Sequence, residues 1–187
     1  MRKVLVLIMA VLLGVTAFAL AGCGNTAKAK EAMKKADAAW NVVDAKLKEL
    51  TNTLTQVLAP ALTGDVTAIT QNSAALTKAG ESANAFIPEL QGVGKLYDDL
   101  AGLNVGDYTE YADAMIKAVN ATINTINVGK GILAKIMPVI QTGDVAQITA
   151  FAQQNTQLLT EAQTAQADAQ KAIDAANKIK VDKKLGQ

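Results

Sequence analysis

Apolar residues recur at alternating steps of three and four along most of the chain, a period that predicts amphipathic helices and not strands. The series Met33, Ala36, Trp40, Val43, Leu47, Leu50, Leu54 and Val57 forms one seam, and Lys34, Lys35, Asp44, Lys48 and Glu49 fall off it. This predicts a first helix from Ala29 to about Ala59, stopped by Pro60. A second stripe follows Thr63-Gly64-Asp65 through Val66, Ile69, Ser73, Leu76, Gly80, Ala83 and Ile87, with Pro88 expected to end or kink it. Residues 88–106 contain Gly92, Gly94, Gly102 and Gly106 and predict the main irregular segment, with a short helical turn around Lys95 to Leu100.

A third helix is expected from about Asp107 to Met137, carrying Ile116, Val119, Ile123, Ile126 and Leu133. Gly129 and Gly131 weaken its second half by about 1 kcal/mol each relative to alanine, unless close packing requires them. The fourth helix, about Asp144 to Lys180, carries Ile148, Phe151, Leu158, Ala162, Ala165, Ala169, Ala172, Ala176 and Ile179 on one face. Such an alanine stripe predicts close interhelical approach, towards the short end of the usual range of about 8 to 10 Å.

An internal repeat organises these elements. The run Pro60-Ala-Leu-Thr-Gly-Asp-Val-Thr-Ala-Ile-Thr resembles Pro138-Val-Ile-Gln-Thr-Gly-Asp-Val-Ala-Gln-Ile-Thr with one insertion, so the chain reads as a duplicated long helical hairpin. The repeats cover about 26–87 and 107–180, joined by the connecting segment 88–106. Thr63 or Asp65, and Thr142 or Asp144, are placed to cap the returning helices, while Gly64 and Gly143 permit the sharp turns. These turns read first as helix-turn-helix corners; a paired interaction surface is the second reading. The expected fold is all-α, an up-down-up-down four-helix bundle. An elongated antiparallel coiled coil is the alternative, and one shared core containing Leu47, Leu54, Ile69, Ile123, Ile126 and Ile148 would decide for the compact form.

The start of the chain departs from this pattern. Arg2 and Lys3 precede an apolar run from Val4 to Leu20, and Leu20-Ala21-Gly22-Cys23 contains the sole cysteine. This resembles the signal and lipobox of bacterial lipoproteins. The resemblance implies that residues 1–22 are a signal peptide, that Cys23 is diacylated, and that residues 23–187 form the exported domain. Two acyl chains give stable anchoring where one would be marginal. It also implies an extracytoplasmic, lipid-anchored location, on the outer membrane in a diderm source because Gly24 and not Asp follows the cysteine. The membrane is then the first partner, through the acyl chains on Cys23.

Removal of residues 1–22 leaves enough chain for one domain with a real core. The 18 basic residues fall to 16, against 17 acidic ones, so no nucleic-acid partner is implied. The chain has no histidine, and acylation would consume its one thiol. That excludes Cys/His zinc sites, covalent haem, Cys or His nucleophiles and disulfides, and the expectation is no catalytic residue, no metal and no cofactor. No Walker loop, dinucleotide fingerprint or serine elbow occurs. Asp98, Asp99, Asp107, Glu110 and Asp113 lack the spacing of an EF-hand loop.

In the bundle orientation, both Thr-Gly-Asp turns lie far from the anchor. Lys28, Lys30, Lys34 and Lys35 meet Lys178, Lys180, Lys183 and Lys184 at the near end, where they would attract anionic headgroups or simply solubilise the helix ends. Trp40, Phe86, Tyr97, Tyr108 and Tyr111 also fall in the near half, as packing residues or as the lining of a small-molecule pocket. The functional expectation is a non-enzymatic structural or protein-interaction module at the cell envelope with a protein partner. A small-molecule-binding or sensory bundle using the membrane-proximal aromatic end is the alternative.

Overall fold

The computed structural model describes residues 24–62 and 73–186. Leu20, Ala21, Gly22 and Cys23, and the first turn Thr63, Gly64 and Asp65, lie outside the described residues. The described chain forms α1 (Gly24–Leu62), α2 (Ser73–Ala101), α3 (Gly106–Gln141), α4 (Val145–Gln154) and α5 (Thr156–Asp182). The architecture is an all-α four-helix bundle, with α4 and α5 together making the fourth rod. Sequential neighbours pack closely, α1 on α2, α2 on α3 and α3 on α5, whereas α1 and α5 approach each other little among the described residues.

The core decides for the compact form. Met33, Ala36, Trp40 and Val43 of α1 are buried in one cluster with Phe86, Leu90, Val93 and Tyr97 of α2, Tyr111, Met115 and Val119 of α3, and Ala176 of α5. Leu47, Ile123 and Ile126 join that cluster, while the side chains of Leu54, Ile69 and Ile148 lie outside the described set. A smaller cluster around Leu76 and Ile140 holds α2 to α3 towards the other end.

The segment 88–106 is not irregular as expected. Helix α2 runs through Pro88 to Ala101, and only Gly102 to Val105 forms the connection to α3. Proline removes one backbone donor, but Pro88 is on the exposed face, where the freed carbonyl can meet water. The opposite face buries Leu76, Ala79, Ala83, Phe86, Leu90, Val93, Tyr97 and Leu100 in unbroken steps of three and four. Burial along this whole stripe outweighs one missing hydrogen bond and the helix cost of Gly92 and Gly94. The same stripe shifts the core face from the expected one, since Gly80 and Ile87 lie at its margin. Likewise α1 continues past Pro60 to Leu62 and α3 past Pro138 to Gln141.

The fourth rod, expected to be continuous, breaks at Asn155. There the side-chain amide and the backbone N–H both donate to the carbonyl of Phe151, at 2.8 and 3.0 Å. The last backbone bond of α4 is kept, while Asn155 leaves helical geometry at φ −110° and ψ +26° and its side chain caps the same carbonyl. Beyond the break, the alanine stripe behaves as expected. Ala165, Ala169 and Ala176 are buried, and the Thr125 hydroxyl on α3 donates across to the Ala165 carbonyl at 2.9 Å, a reach that larger residues would prevent.

At its end α5 is tied back to the start of the bundle. Lys184 adopts φ +51°, the Leu185 N–H donates to the Lys180 carbonyl at 2.9 Å, and Leu185 is buried in the main core. This is a Schellman termination with its accompanying apolar contact.

Gly129 and Gly131 have open space where a Cβ would stand, so no close packing explains them. The Gly129→Ala/Gly131→Ala double variant should therefore raise stability by about 1 to 2 kcal/mol, seen as a higher midpoint in thermal circular dichroism. A lower midpoint would show that the second half of α3 needs the glycines.

Candidate functional site

One turn inside the main core, each of the four rods contributes one polar side chain to a single contact. Asp37 of α1 lies between the buried Ala36 and Trp40 turns, and its carboxylate is only 13% exposed. Its Oδ1 accepts hydrogen bonds from the Tyr97 hydroxyl of α2 and the Tyr111 hydroxyl of α3, both at 2.8 Å. Its Oδ2 accepts from the Lys180 ammonium of α5 at 2.5 Å. Three of the roughly four acceptor positions of a carboxylate are thus filled by protein donors, which makes Asp37 a cross-tie and not a free base. The two tyrosine rings meet edge to face, 6.0 Å between centroids, and Lys180 lies 5.8 Å from the Tyr111 ring centre, within cation–π range.

Burial raises both phenol pKa values well above the ordinary tyrosine range. For Tyr97 the neighbouring Tyr111 and Asp37 charges add to it, and for Tyr111 the Asp37 charge does. Neutral phenols are what the contact needs, because only a protonated hydroxyl can donate to the carboxylate. A second tie joins α1 to α2 two turns further on, where Lys46 bridges both oxygens of Glu89 at 3.0 and 2.8 Å.

Beside the cross-tie, the loosely packed α1/α5 seam opens into a groove of about 260 Å³. Helix α1 contributes Trp40, Asn41, Asp44 and Lys48, and α5 contributes Gln170, Ile173, Asn177 and Lys180. Tyr111 and Met115 of α3 complete the lining. Asp44 is paired with Lys48 at 2.6 Å, and Gln170 with Asp174 at 2.8 Å. Trp40 is 8% exposed, its indole N–H has no acceptor among the described residues, and that nitrogen is not sealed from solvent.

The five aromatic residues singled out from the sequence share one core: Trp40, Phe86, Tyr97 and Tyr111 are buried and Tyr108 packs against them half-buried. Only Trp40 and Tyr111 reach the groove, and Tyr97 joins them through Asp37. Asp37 itself was not foreseen. Its signal was a single acid four residues after Met33 and three before Trp40, inside the seam's own spacing.

The basic end differs from expectation. Lys180 turns inward to Asp37, and Lys183 reaches Asp107 at 3.0 Å and Glu110 at 3.9 Å on α3. Two of the eight lysines expected to face anionic headgroups therefore tie α5 to its neighbours. At the described turn, Asp144 and not Thr142 caps α4, accepting from Ala146 N at 2.8 Å, while Gly143 takes φ +66° and the Thr142 hydroxyl donates back to Val139. Among the described residues no group of His, Cys, Asp and Glu side chains could hold a metal ion, and no helix is long and apolar enough to cross a membrane. The chain matches no protein-family model, no curated protein and no solved structure.

Replacing Asp37 by Asn should cost about 1 to 2 kcal/mol, because it removes the charge to which the half-exposed Lys180 ammonium and both phenols donate. Lys180→Met should cost no more than about half as much, since Asp37 keeps both tyrosine donors. Equal losses in denaturant titrations would contradict this asymmetry. The raised phenol pKa values also set an alkaline limit. Their stabilisation is complete below the unfolded tyrosine pKa of about 10 and is lost as the pH rises above it. Tyrosinate absorbance from Tyr97 and Tyr111 should therefore appear together with loss of helical circular dichroism. Ionisation of both near pH ~10 in an intact fold would refute the buried cross-tie.

Proposed function

We propose that the protein is a lipid-anchored, extracytoplasmic helical post that holds a protein-interaction surface away from the envelope membrane, without catalytic chemistry of its own. The observation that supports this reading is the place of the Asp37 cross-tie, early in the first described helix. Asp37 ties that helix to all the others within its first four turns. Acyl chains on Cys23 would thus attach close in the chain to a braced base.

Geometry supports the same division of labour at the other end. Helix α3 has 36 residues, which corresponds to roughly 54 Å at 1.5 Å per residue. The Thr142–Asp144 turn at its far end is exposed and already held in shape by the Asp144 cap and Gly143. A preformed turn loses little conformational entropy on binding. The Leu20-Ala21-Gly22-Cys23 sequence supports export and acylation by its resemblance to bacterial lipoproteins.

In cells fed an alkyne-labelled fatty acid, the protein should carry the label and sediment with membranes. Cys23→Ala should lose the label and appear in the soluble fraction. A photo-crosslinker at Thr142 should yield a discrete protein adduct that requires Cys23, and one at the buried-side position Lys180 should not. A Cys23→Ala protein that still sediments with membranes would defeat the anchoring claim, and the absence of any adduct at Thr142 would defeat the interaction claim.

A further inference from the structure

We infer that the groove between α1 and α5 is a binding site for a small neutral polyhydroxylated molecule, a single saccharide unit. The inference goes beyond the tethered-post reading and does not depend on it, because every group involved lies within the folded bundle.

The seam itself is the first observation. Three of the four neighbouring helix pairs pack closely, and the fourth leaves about 260 Å³ beside the most heavily cross-tied part of the molecule. That is near the lower end of ligand-pocket volumes, about 300 to 1,000 Å³, and suits a small ligand. Its walls are fixed: the Asp37 contact holds Tyr111 and Lys180 in place, and Trp40 is buried in the core. Such a site needs little reorganisation when a ligand enters.

Charge selects the class of ligand. The two ammonium groups of the groove are each matched by a carboxylate, Lys48 by Asp44 and Lys180 by Asp37. An ionic ligand would have to compete with these pairs, whereas a neutral one leaves them intact. Hydrogen bonding points the same way. Asn41 of α1 and Asn177 of α5, both exposed, line the groove and make no hydrogen bond to a described residue, so each amide has both donors and an acceptor available. The Trp40 indole N–H, which reaches solvent and has no acceptor among the described residues, adds a donor. Hydroxyl groups, which donate and accept at once, match this mixed set. Ile173, half-buried at the groove, supplies a small apolar surface for the C–H face of a sugar ring.

Trp40 is the single tryptophan of the chain, so its fluorescence reports the groove alone. The detergent-solubilised full-length protein would be titrated with N-acetylglucosamine and glucose as neutral probes, and with acetate and glycine as ionic ones. Saturation-transfer NMR on the same samples provides a second readout. Binding is expected as a saturable change in Trp40 emission and as transfer to the sugar protons. Asn177→Ala and Asn41→Ala should each weaken it about tenfold, the loss of one or two neutral hydrogen bonds, with an unchanged thermal midpoint. The Cys23→Ala protein should bind like the parent, which separates this claim from the anchoring one. Silence in both readouts for both sugars overturns the inference. So does a stronger response to acetate or glycine, or full binding by both asparagine variants.

Discussion

A carboxylate taken out of water must be matched by donors, and Asp37 is matched by one donor from each of the other three rods. Leaving such a charge unpaired costs several kcal/mol, so the contact forms only when all four helices are in register. A slip of one helix by a turn, about 5.4 Å, would remove its donor altogether. This matters most for α5, whose core face is built of Ala165, Ala169 and Ala176. Alanine permits close approach but offers little shape to distinguish one register from the next. The Lys180 ammonium supplies that distinction, with Lys183 on Asp107 as a weaker, exposed supplement.

The cross-tie also divides the bundle along its length. At the near end, the main core, the Asp37 contact, the Lys46–Glu89 pair and the tucked Leu185 all fasten α1, α2, α3 and α5 together. Farther out, α2 and α3 share the smaller cluster around Leu76 and Ile140, and the fourth rod is interrupted at Asn155. The bracing at the near end also fixes the walls of the α1/α5 groove, because Lys180 and Tyr111 belong to both the cross-tie and the groove lining.

Much of this was legible in the order of residues. The three-and-four spacing of Met33, Ala36, Trp40 and Val43 and the alanine stripe of α5 led to the correct fold class and much of the core. Proline and glycine were weighted too heavily. Pro88 and Gly92 sit on the exposed side of α2, and local propensity there yields to the burial of Phe86, Leu90, Val93 and Tyr97 opposite. Asn155 was missed for the converse reason, since one side-chain amide returning to the Phe151 carbonyl leaves no mark on hydrophobic periodicity. The site was legible only in part. Trp40, Tyr97 and Tyr111 stood out as aromatics, but Asp37 and Lys180 are 143 residues apart. Nothing local to either residue announces the other, and a lysine near a helix end reads by default as solvated.

Native-state hydrogen exchange tests the central claim most directly, that one carboxylate sets the register and firmness of the near end. In the parent protein, amides flanking Asp37, Tyr97, Tyr111 and Lys180 should exchange only through global unfolding, and more slowly than those around Leu76 and Ile140. In Asp37→Asn, that difference should disappear, with the α5 amides around Lys180 the first to lose protection. Equal protection at both ends of the parent, or an exchange pattern untouched by the substitution, would contradict the account.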